Sequence, residues 1–267
     1  MAKIRVIVAG FKGRMGSTTC EMVLAHSDEF ELVGGFDPRG AADQSLGQQL
    51  QLKAAEGIPA FTDRQATLQA KADVWVDFTT PDAVFDNVQF CLTHHIYPVV
   101  GTTGLSDEAT KTLVTTAQQA KMGGLIVPNF ALSAVLMMKF AQEAVKYFPD
   151  VEIIELHHDD KQDAPSGTAL RTAELMAEVR QPKQQGPVDP KESLAGVRGG
   201  DYQGMRIHAV RLPGLLAHQE VLFGGVGEGL TIRQDSYDRS SFMTGVAVAI
   251  RKVQAQTQLL IGLENVL

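Results

Sequence analysis

Lys3-Ile-Arg-Val-Ile-Val-Ala9, followed at once by Gly10-Phe-Lys12-Gly13-Arg14-Met15-Gly16, is the stretch from which the fold can be read. The first seven residues form a β-branched apolar run of strand length. Ser17 to His26 then reads as a helix, and Phe30 to Phe36 as a second strand that ends in Asp37. Strand, glycine loop, helix, strand and closing acid are the context in which a glycine triplet signals a dinucleotide site. Gly10 suits a tight turn, Gly13 the approach of backbone to a pyrophosphate, and Gly16 close packing of helix on strand. Without those flanks the triplet would carry little weight.

Two signals for the nucleotide coexist. Asp37 can accept hydrogen bonds from an adenosine ribose, which favours NADH, whereas Lys12, Arg14 and Arg39 can surround the extra phosphate of NADPH. Lys12 and Arg39 read equally well as solvated surface charges. Use of both cofactors is the expectation.

Further units of the same kind follow, after a polar segment from 41 to 58 that reads as a helix or a loop over the adenine side. Asp73-Val-Trp-Val-Asp-Phe78 is a buried strand that turns through Thr79-Thr80-Pro81 into a helix from Ala83 to His94. Tyr97-Pro-Val-Val100 leads into Gly101-Thr102-Thr103-Gly104 and a helix from Ser106, and Gly124-Leu-Ile-Val127 reads as the last strand, ending at Asn129-Phe130. Alternation at this spacing predicts a doubly wound parallel sheet, a Rossmann-like nucleotide domain. Ligands in such sheets lie beyond the strand C-termini, where Phe78, Thr79, Gly101, Thr102, Thr103, Asn129 and Phe130 all fall. Trp75, inside a strand, is expected in the core.

The second half has a different texture. An apolar helix from Leu132 to Phe148 precedes the alternating strand Val151-Glu-Ile-Ile-Glu-Leu156, and a helix from Ser166 to about Arg180 follows. Gln181 to Pro187 and Asp189-Pro-Lys191 form a proline-marked surface excursion. Strands are expected over Gly204 to Leu212, Ala217 to Phe223 and Gly229 to Asp235, with turns at 211–214 and 224–229. Arg239 to Leu260 reads as a closing helix in which Ala247, Ile250, Val253 and Leu260 share an apolar side. Phe90, Phe140 and the methionines are expected to pack. The overall class is α/β: a nucleotide domain of residues 1–129 and 239–267, and a smaller α+β domain with an open mixed sheet over 130–238. Two domains around a cleft, closing on ligand, would bring a nicotinamide to its substrate.

The chemistry concentrates in Glu155-Leu-His157-His158-Asp-Asp-Lys161-Gln-Asp163-Ala-Pro165-Ser166-Gly167-Thr168-Ala169. If the strand runs on, His157 and Lys161 share one side and His158 takes the other. Ser166 is a good N-cap, so the helix start at Gly167 and Thr168 favours a carboxylate or phosphate. Such histidines are more often structural than functional. A metal bound by His-His-Asp-Asp is a second reading, weakened by the divergence of neighbouring strand residues and by the positive charge of Lys161.

Bulk numbers narrow the classes. A chain of 267 residues with 44% hydrophobic and 21% charged residues is ordinary globular usage, with enough length for two modest cores. A net charge of −7 argues against nucleic acid as a partner. No stretch suggests a membrane span, the N-terminus enters a strand directly, and Cys20 and Cys91 lack metal or CxxC spacing. A soluble, cytoplasmic protein is the expectation.

Together these motifs resemble the dihydrodipicolinate reductase family over essentially the whole chain. The 155–169 stretch is the most specific match, supported in order by Gly10/Gly13/Gly16, Asp77-Phe-Thr79, Gly101-Thr-Thr-Gly104, Pro128-Asn-Phe130 and Arg239. The resemblance implies a homotetrameric NAD(P)H-dependent oxidoreductase, assembled through the sheets of the second domain. Its substrate is a cyclic dicarboxylate, 4-hydroxy-tetrahydrodipicolinate, reduced to tetrahydrodipicolinate in lysine and diaminopimelate biosynthesis. By position it implies His157 as general acid, Lys161 as its catalytic companion, His158, Gly167 and Thr168 as substrate contacts, and Arg239 among the cofactor contacts. Rival readings are an amino-acid dehydrogenase of similar plan, a silent nicotinamide sensor and a metal-dependent hydrolase.

Overall fold

Buried on both faces, the N-terminal apolar run lies in the middle of a parallel sheet. The computed structural model describes residues 2–187 and 191–267. In chain order its elements are β1 (Ile4–Ala9), α1 (Arg14–Ala25), β2 (Phe30–Phe36), α2 (Leu46–Leu50), β3 (Ala60–Phe61), β4 (Val74–Asp77), α3 (Pro81–Thr93), β5 (Tyr97–Val100), α4 (Asp107–Ala120), β6 (Gly124–Ile126), α5 (Leu132–Ala144), β7 (Asp150–His157), α6 (Gly167–Ala177), β8 (Gly200–Tyr202), β9 (Met205–Arg211), β10 (Ala217–Gly225), β11 (Glu228–Ser236), α7 (Ser241–Val253) and β12 (Leu259–Ile261). They divide into two compact units, Met1–Phe130 with Phe242–Leu267, and Ala131–Ser241. Among the described residues no helix is long and apolar enough to cross a membrane.

The first unit holds a seven-stranded sheet of order β12-β6-β5-β4-β1-β2-β3, with every pairing parallel. From β1 the chain winds outward through β2 and β3, then returns to β4 on the other side of β1. Ligand crevices in open α/β sheets form at that reversal, beyond the ends of β1 and β4. Val6, Ile7, Val8 and Ala9 are fully buried, as a strand covered by helices on both faces requires. Trp75 is also fully buried, its ring 5.3 Å from Phe36 and 6.1 Å from Phe90. Each such large side chain withdrawn from water contributes about 1.5–3 kcal/mol. Helix starts follow local chemistry: Pro81 opens α3, and the Ser106 hydroxyl accepts from the Ala109 amide at α4.

The second unit holds a five-stranded mixed sheet of order β11-β10-β7-β9-β8 in which only β7 and β9 run parallel. Helices α5 and α6 pack together, with α5 against β11 and α6 against β7. Alternation along β7 buries Val151, Ile153 and Glu155 on one face. Two of those are ordinary core residues; a carboxylate in the third place is not.

Several expectations are corrected. The closing helix is only α7 and stops at Val253; Leu260 lies in β12, which pairs with β6 and extends the sheet, so Gly124–Ile126 is not the last strand. Backbone pairing along that edge outweighs the helical spacing of Leu260. Within 41–58 sits α2, capped reciprocally by Ser45 and Gln48, followed by the short strand β3, which the sequence reading lacks. Helix α5 ends at Ala144, ahead of Pro149, which cannot continue it. Helix α6 ends at Ala177, and Arg180 instead donates to the carbonyls of Pro149, Gln203 and Lys183 at 2.7, 3.0 and 2.8 Å. The glycine run 224–229 is mostly strand, since β10 and β11 pair as far as Gly225 and Glu228, with Gly227 at φ +78° in the tight turn. Phe140 is 54% exposed and does not pack as expected. Strand β8 lies ahead of the strand expected over Gly204 to Leu212 and adds an edge to the sheet, and part of the proline-marked excursion lies outside the described residues.

Candidate active site

In the first unit the glycines behave as steric devices. Gly10 sits at φ +76°, and a Cβ there would lie 2.3 Å from the Phe78 carbonyl oxygen. A Cβ on Gly16 would lie 2.2 Å from the Gly10 carbonyl oxygen. Gly13 is the N-cap of α1 with no side-chain hydrogen bond to the helix amides, which leaves that first turn suited to a phosphate. Arg14 is exposed at the first position of the helix and Met15 is half-buried behind it. These features fit a dinucleotide pyrophosphate.

The end of β2 places the two nucleotide signals on each other. The Arg39 guanidinium donates from Nε to Asp37 Oδ1 and from a terminal nitrogen to Oδ2, each at 3.2 Å, and its amide adds a bond at 3.0 Å. Burial pushes the Asp37 carboxyl up, but the Arg39 bonds and the Lys12 amide hold it below the usual carboxylate range. Lys12 Nζ in turn donates to the Arg39 carbonyl at 3.1 Å. The expected ribose acceptor and the expected partner of an added phosphate therefore form one paired unit.

Beyond β4 and β5 the loops are tied to Asp77, which is fully buried. Its Oδ1 accepts from the Thr79 amide and hydroxyl at 3.0 and 2.6 Å and from the Thr102 hydroxyl at 2.8 Å. Its Oδ2 accepts from Trp75 Nε1 at 3.0 Å and Asn87 Nδ2 at 2.9 Å. The Phe78 and Phe130 rings lie 5.7 Å apart, and a Cβ on Gly101 would strike both. Phe78, Thr79, Gly101, Thr102 and Phe130 are thus brought together, with Thr103 exposed and Asn129 half-buried alongside. Arg239 is exposed and belongs to the second unit, apart from these loops in the chain's division. Burial drives the Cys20 thiol up to about 12 and that of Cys91 well above its ordinary value, so neither is a nucleophile.

In the second unit the chemistry gathers on Glu155, which has no exposed surface. Arg211, the last residue of β9, grips it in bidentate fashion at 2.8 and 2.7 Å. Its Oε2 also accepts from His157 Nδ1 at 2.5 Å, and Oε1 from the Ser166 amide at 3.0 Å. Burial raises the Glu155 carboxyl, yet Arg211, His157 and the Ser166 amide outweigh it and hold it ionised below the ordinary range. Being ionised, Glu155 only accepts, so the proton between the pair sits on Nδ1 and the neutral ring leaves Nε2 bare. Burial lowers the His157 imidazole from its ordinary value, against the opposing pull of Glu155.

The strand does not run on to Lys161, as the alternation argument assumed. It ends at His157 and the chain turns, the Lys161 amide approaching the His158 carbonyl at 3.3 Å. Arg211 holds this loop too, donating to the carbonyls of Lys161 at 3.3 Å and Asp163 at 2.6 Å. Lys161 Nζ pairs with Asp163 at 2.6 Å. Ser166 caps α6 through the Ala169 amide at 3.2 Å, with Gly167 exposed and Thr168 half-buried in the first turn. Among the described residues no group of three or more His, Cys, Asp or Glu side chains is arranged to hold a metal. The sequence pattern assigns no role to Glu155 or Arg211. A charged residue on the buried side of β7 was the signal for the first; nothing local marked the second.

Two family profiles cover the chain: "Dihydrodipicolinate reductase, N-terminus" over residues 4–130 and "Dihydrodipicolinate reductase, C-terminus" over 133–267. The 4-hydroxy-tetrahydrodipicolinate reductase of Lactiplantibacillus plantarum is 59% identical, spanning 99% of this chain and 100% of its own. That of Enterococcus faecalis is 57% identical over the same shares. Among solved structures, a dipicolinate-bound dihydrodipicolinate reductase from Paenisporosarcina sp. TG-14 is 46% identical and superposes with a TM-score of 0.91 over 100% of both chains. An amine dehydrogenase from Mycobacterium smegmatis, 14% identical with a TM-score of 0.69 over 98% of this chain and 96% of its own, shares the fold.

Proposed function

Because the chain belongs to the dihydrodipicolinate reductase family, we propose that His157 is the proton donor of its reaction and that Lys161, His158 and the first turn of α6 hold the substrate. The reaction is the reduction of 4-hydroxy-tetrahydrodipicolinate, with loss of water, to tetrahydrodipicolinate, the step these enzymes serve in lysine and diaminopimelate biosynthesis. NADH and NADPH both serve, and bound nicotinamide supplies the hydride. The first unit's glycine loop and the Asp37–Arg39 pair are proposed to hold the nucleotide, with Phe78, Thr79, Gly101, Thr102, Thr103, Asn129 and Phe130 around it and Arg239 as a further contact.

Reduction of a conjugated imine places a hydride on one carbon and a proton on its neighbour. The observation that carries the proton assignment is the bond from His157 Nδ1 to the buried Glu155 carboxylate. It directs the opposite nitrogen, Nε2, to the substrate. With Nδ1 engaged, Nε2 can donate only from the imidazolium. Burial disfavours that form in the free protein; a bound dianion favours it by charge. A dianion transferred from water needs compensating partners, and Lys161 and the α6 amides are the groups suited to supply them.

A coupled assay that generates the unstable substrate in place, run with each reduced cofactor across pH, tests this. Turnover is expected with both. The alkaline fall of kcat/KM, which reports the free enzyme, should come at lower pH than that of kcat, which reports the complex. Coincident profiles would overturn the assignment of His157.

A homotetramer through the second unit's sheet, in a cytoplasmic setting that keeps Cys20 and Cys91 reduced, belongs to the same reading. The sheet face away from Val151, Ile153 and Glu155 intersperses Ile154, Leu156, Val210 and Leu222 with charged pairs such as Glu152–His208, a mixture suited to a specific interface. Sedimentation of the soluble cell fraction as a four-chain species is expected; a monomer, or recovery elsewhere, would overturn it.

A further inference from the structure

We propose that Glu155 is the positioning residue of the reaction: one buried carboxylate that orients the proton donor, sets its tautomer and anchors the start of the carboxylate-binding helix. This rests on the reading of His157 as the donor. Three bonding relationships carry it. The first is the 2.5 Å bond to His157 Nδ1, which leaves the ring a single free nitrogen. The second is the 3.0 Å bond from the Ser166 amide, which ties the N-cap of α6 to the same carboxyl group. The third is the bidentate Arg211 pair, which fixes the carboxyl plane and keeps it ionised. Glu155 occupies a place on β7 where alternation calls for an apolar side chain. A carboxylate buried for stability alone is a poor bargain, since an apolar replacement of the same size is often as stable. What this one does that an apolar residue cannot is hold an imidazole and a helix cap in fixed relation.

The charged groups facing His157 are Glu155 beside it on β7, Arg211 on β9 and Lys161 in the following loop, the last paired with Asp163. Across the ladder on β10 its partner is the uncharged Ala217. Of these groups Glu155 and Asp163 are anions, and only Glu155 bonds the ring. Its charge supports the imidazolium, and its acceptor-only character selects the Nδ1–H tautomer. The same logic operates wherever a carboxylate orients a catalytic histidine.

The test compares Glu155→Gln, His157→Gln and the double variant. Glu155→Gln keeps the shape and removes the charge. It is expected to lower kcat about 10²-fold, to move the alkaline fall of kcat/KM to lower pH, and to leave NADPH binding unchanged. In the His157→Gln background the same change should add little, because coupled residues are non-additive. A Glu155→Gln enzyme with the wild-type pH profile beside an inactive His157→Gln enzyme would overturn the proposal and leave the donor in place. A near-normal His157→Gln enzyme would overturn the donor itself. Should Glu155→Gln fail to fold, nitrogen NMR of the wild-type imidazole still decides: a protonated Nδ1 and bare Nε2 are expected at neutral pH, and the reverse tautomer would overturn the proposal.

Discussion

Replacing His157 by glutamine is expected to cut kcat by about 10² to 10⁴, the range general acids typically contribute, while NADPH binds as before. Glutamine is close in size and can still bond Glu155, so β7 and the N-cap of α6 should persist. What disappears is a group able to release a proton at neutral pH. The loops proposed to hold the nucleotide are built from Gly10 to Gly16, Asp37, Arg39 and the Asp77 network, which is bonded within the first unit. Steady-state kinetics with a separate measurement of NADPH affinity would check this. Near-normal turnover would assign the proton to another source.

Arg211→Leu carries the second large effect, on stability. Removing the guanidinium strands the Glu155 carboxylate in a site with no exposed surface, and breaking a buried pair this way costs about 3–5 kcal/mol. The pH dependence has a definite sign. In the native chain Glu155 sits below its ordinary range, so its contribution is present above the unfolded carboxylate pKa and is lost as pH falls through the folded one. Without Arg211 the strongest of the influences that lower it is gone, so the folded carboxyl lies above its wild-type position. The variant's deficit should then be full at neutral pH and shrink towards acid, where protonation removes the stranded charge. Adding Glu155→Gln to Arg211→Leu should recover part of the loss. Denaturant unfolding at several pH values tests this; a deficit independent of pH would show that the pair is not the cause.

The reading of the sequence succeeded where a local pattern has one physical solution. Strand, glycine loop, helix and acid gave the nucleotide unit because only glycine fits the contacts at 10 and 16. Helix starts at Ser106 and Ser166 were legible because a hydroxyl caps amides three residues away. It failed where distant partners decide. Leu260 has helical spacing with Val253, yet β6 offers it a strand edge. The alternation expected to carry Lys161 to the His157 side stops at His157; Lys161 still bears on that ring, but through a loop whose shape Arg211 holds.

By itself, the order of residues determined the parallel sheet, the glycine turn and the stretch that gathers His157, Lys161 and the N-cap of α6, because each depends on groups within a few positions of one another. Only the tertiary structure decided which nitrogen of His157 meets Glu155 and why the chain tolerates a carboxylate on the inner face of β7. Arg211 lies 56 residues beyond Glu155 and meets it only when β9 pairs with β7. No periodicity encodes that meeting; the cost of an unpaired buried charge enforces it.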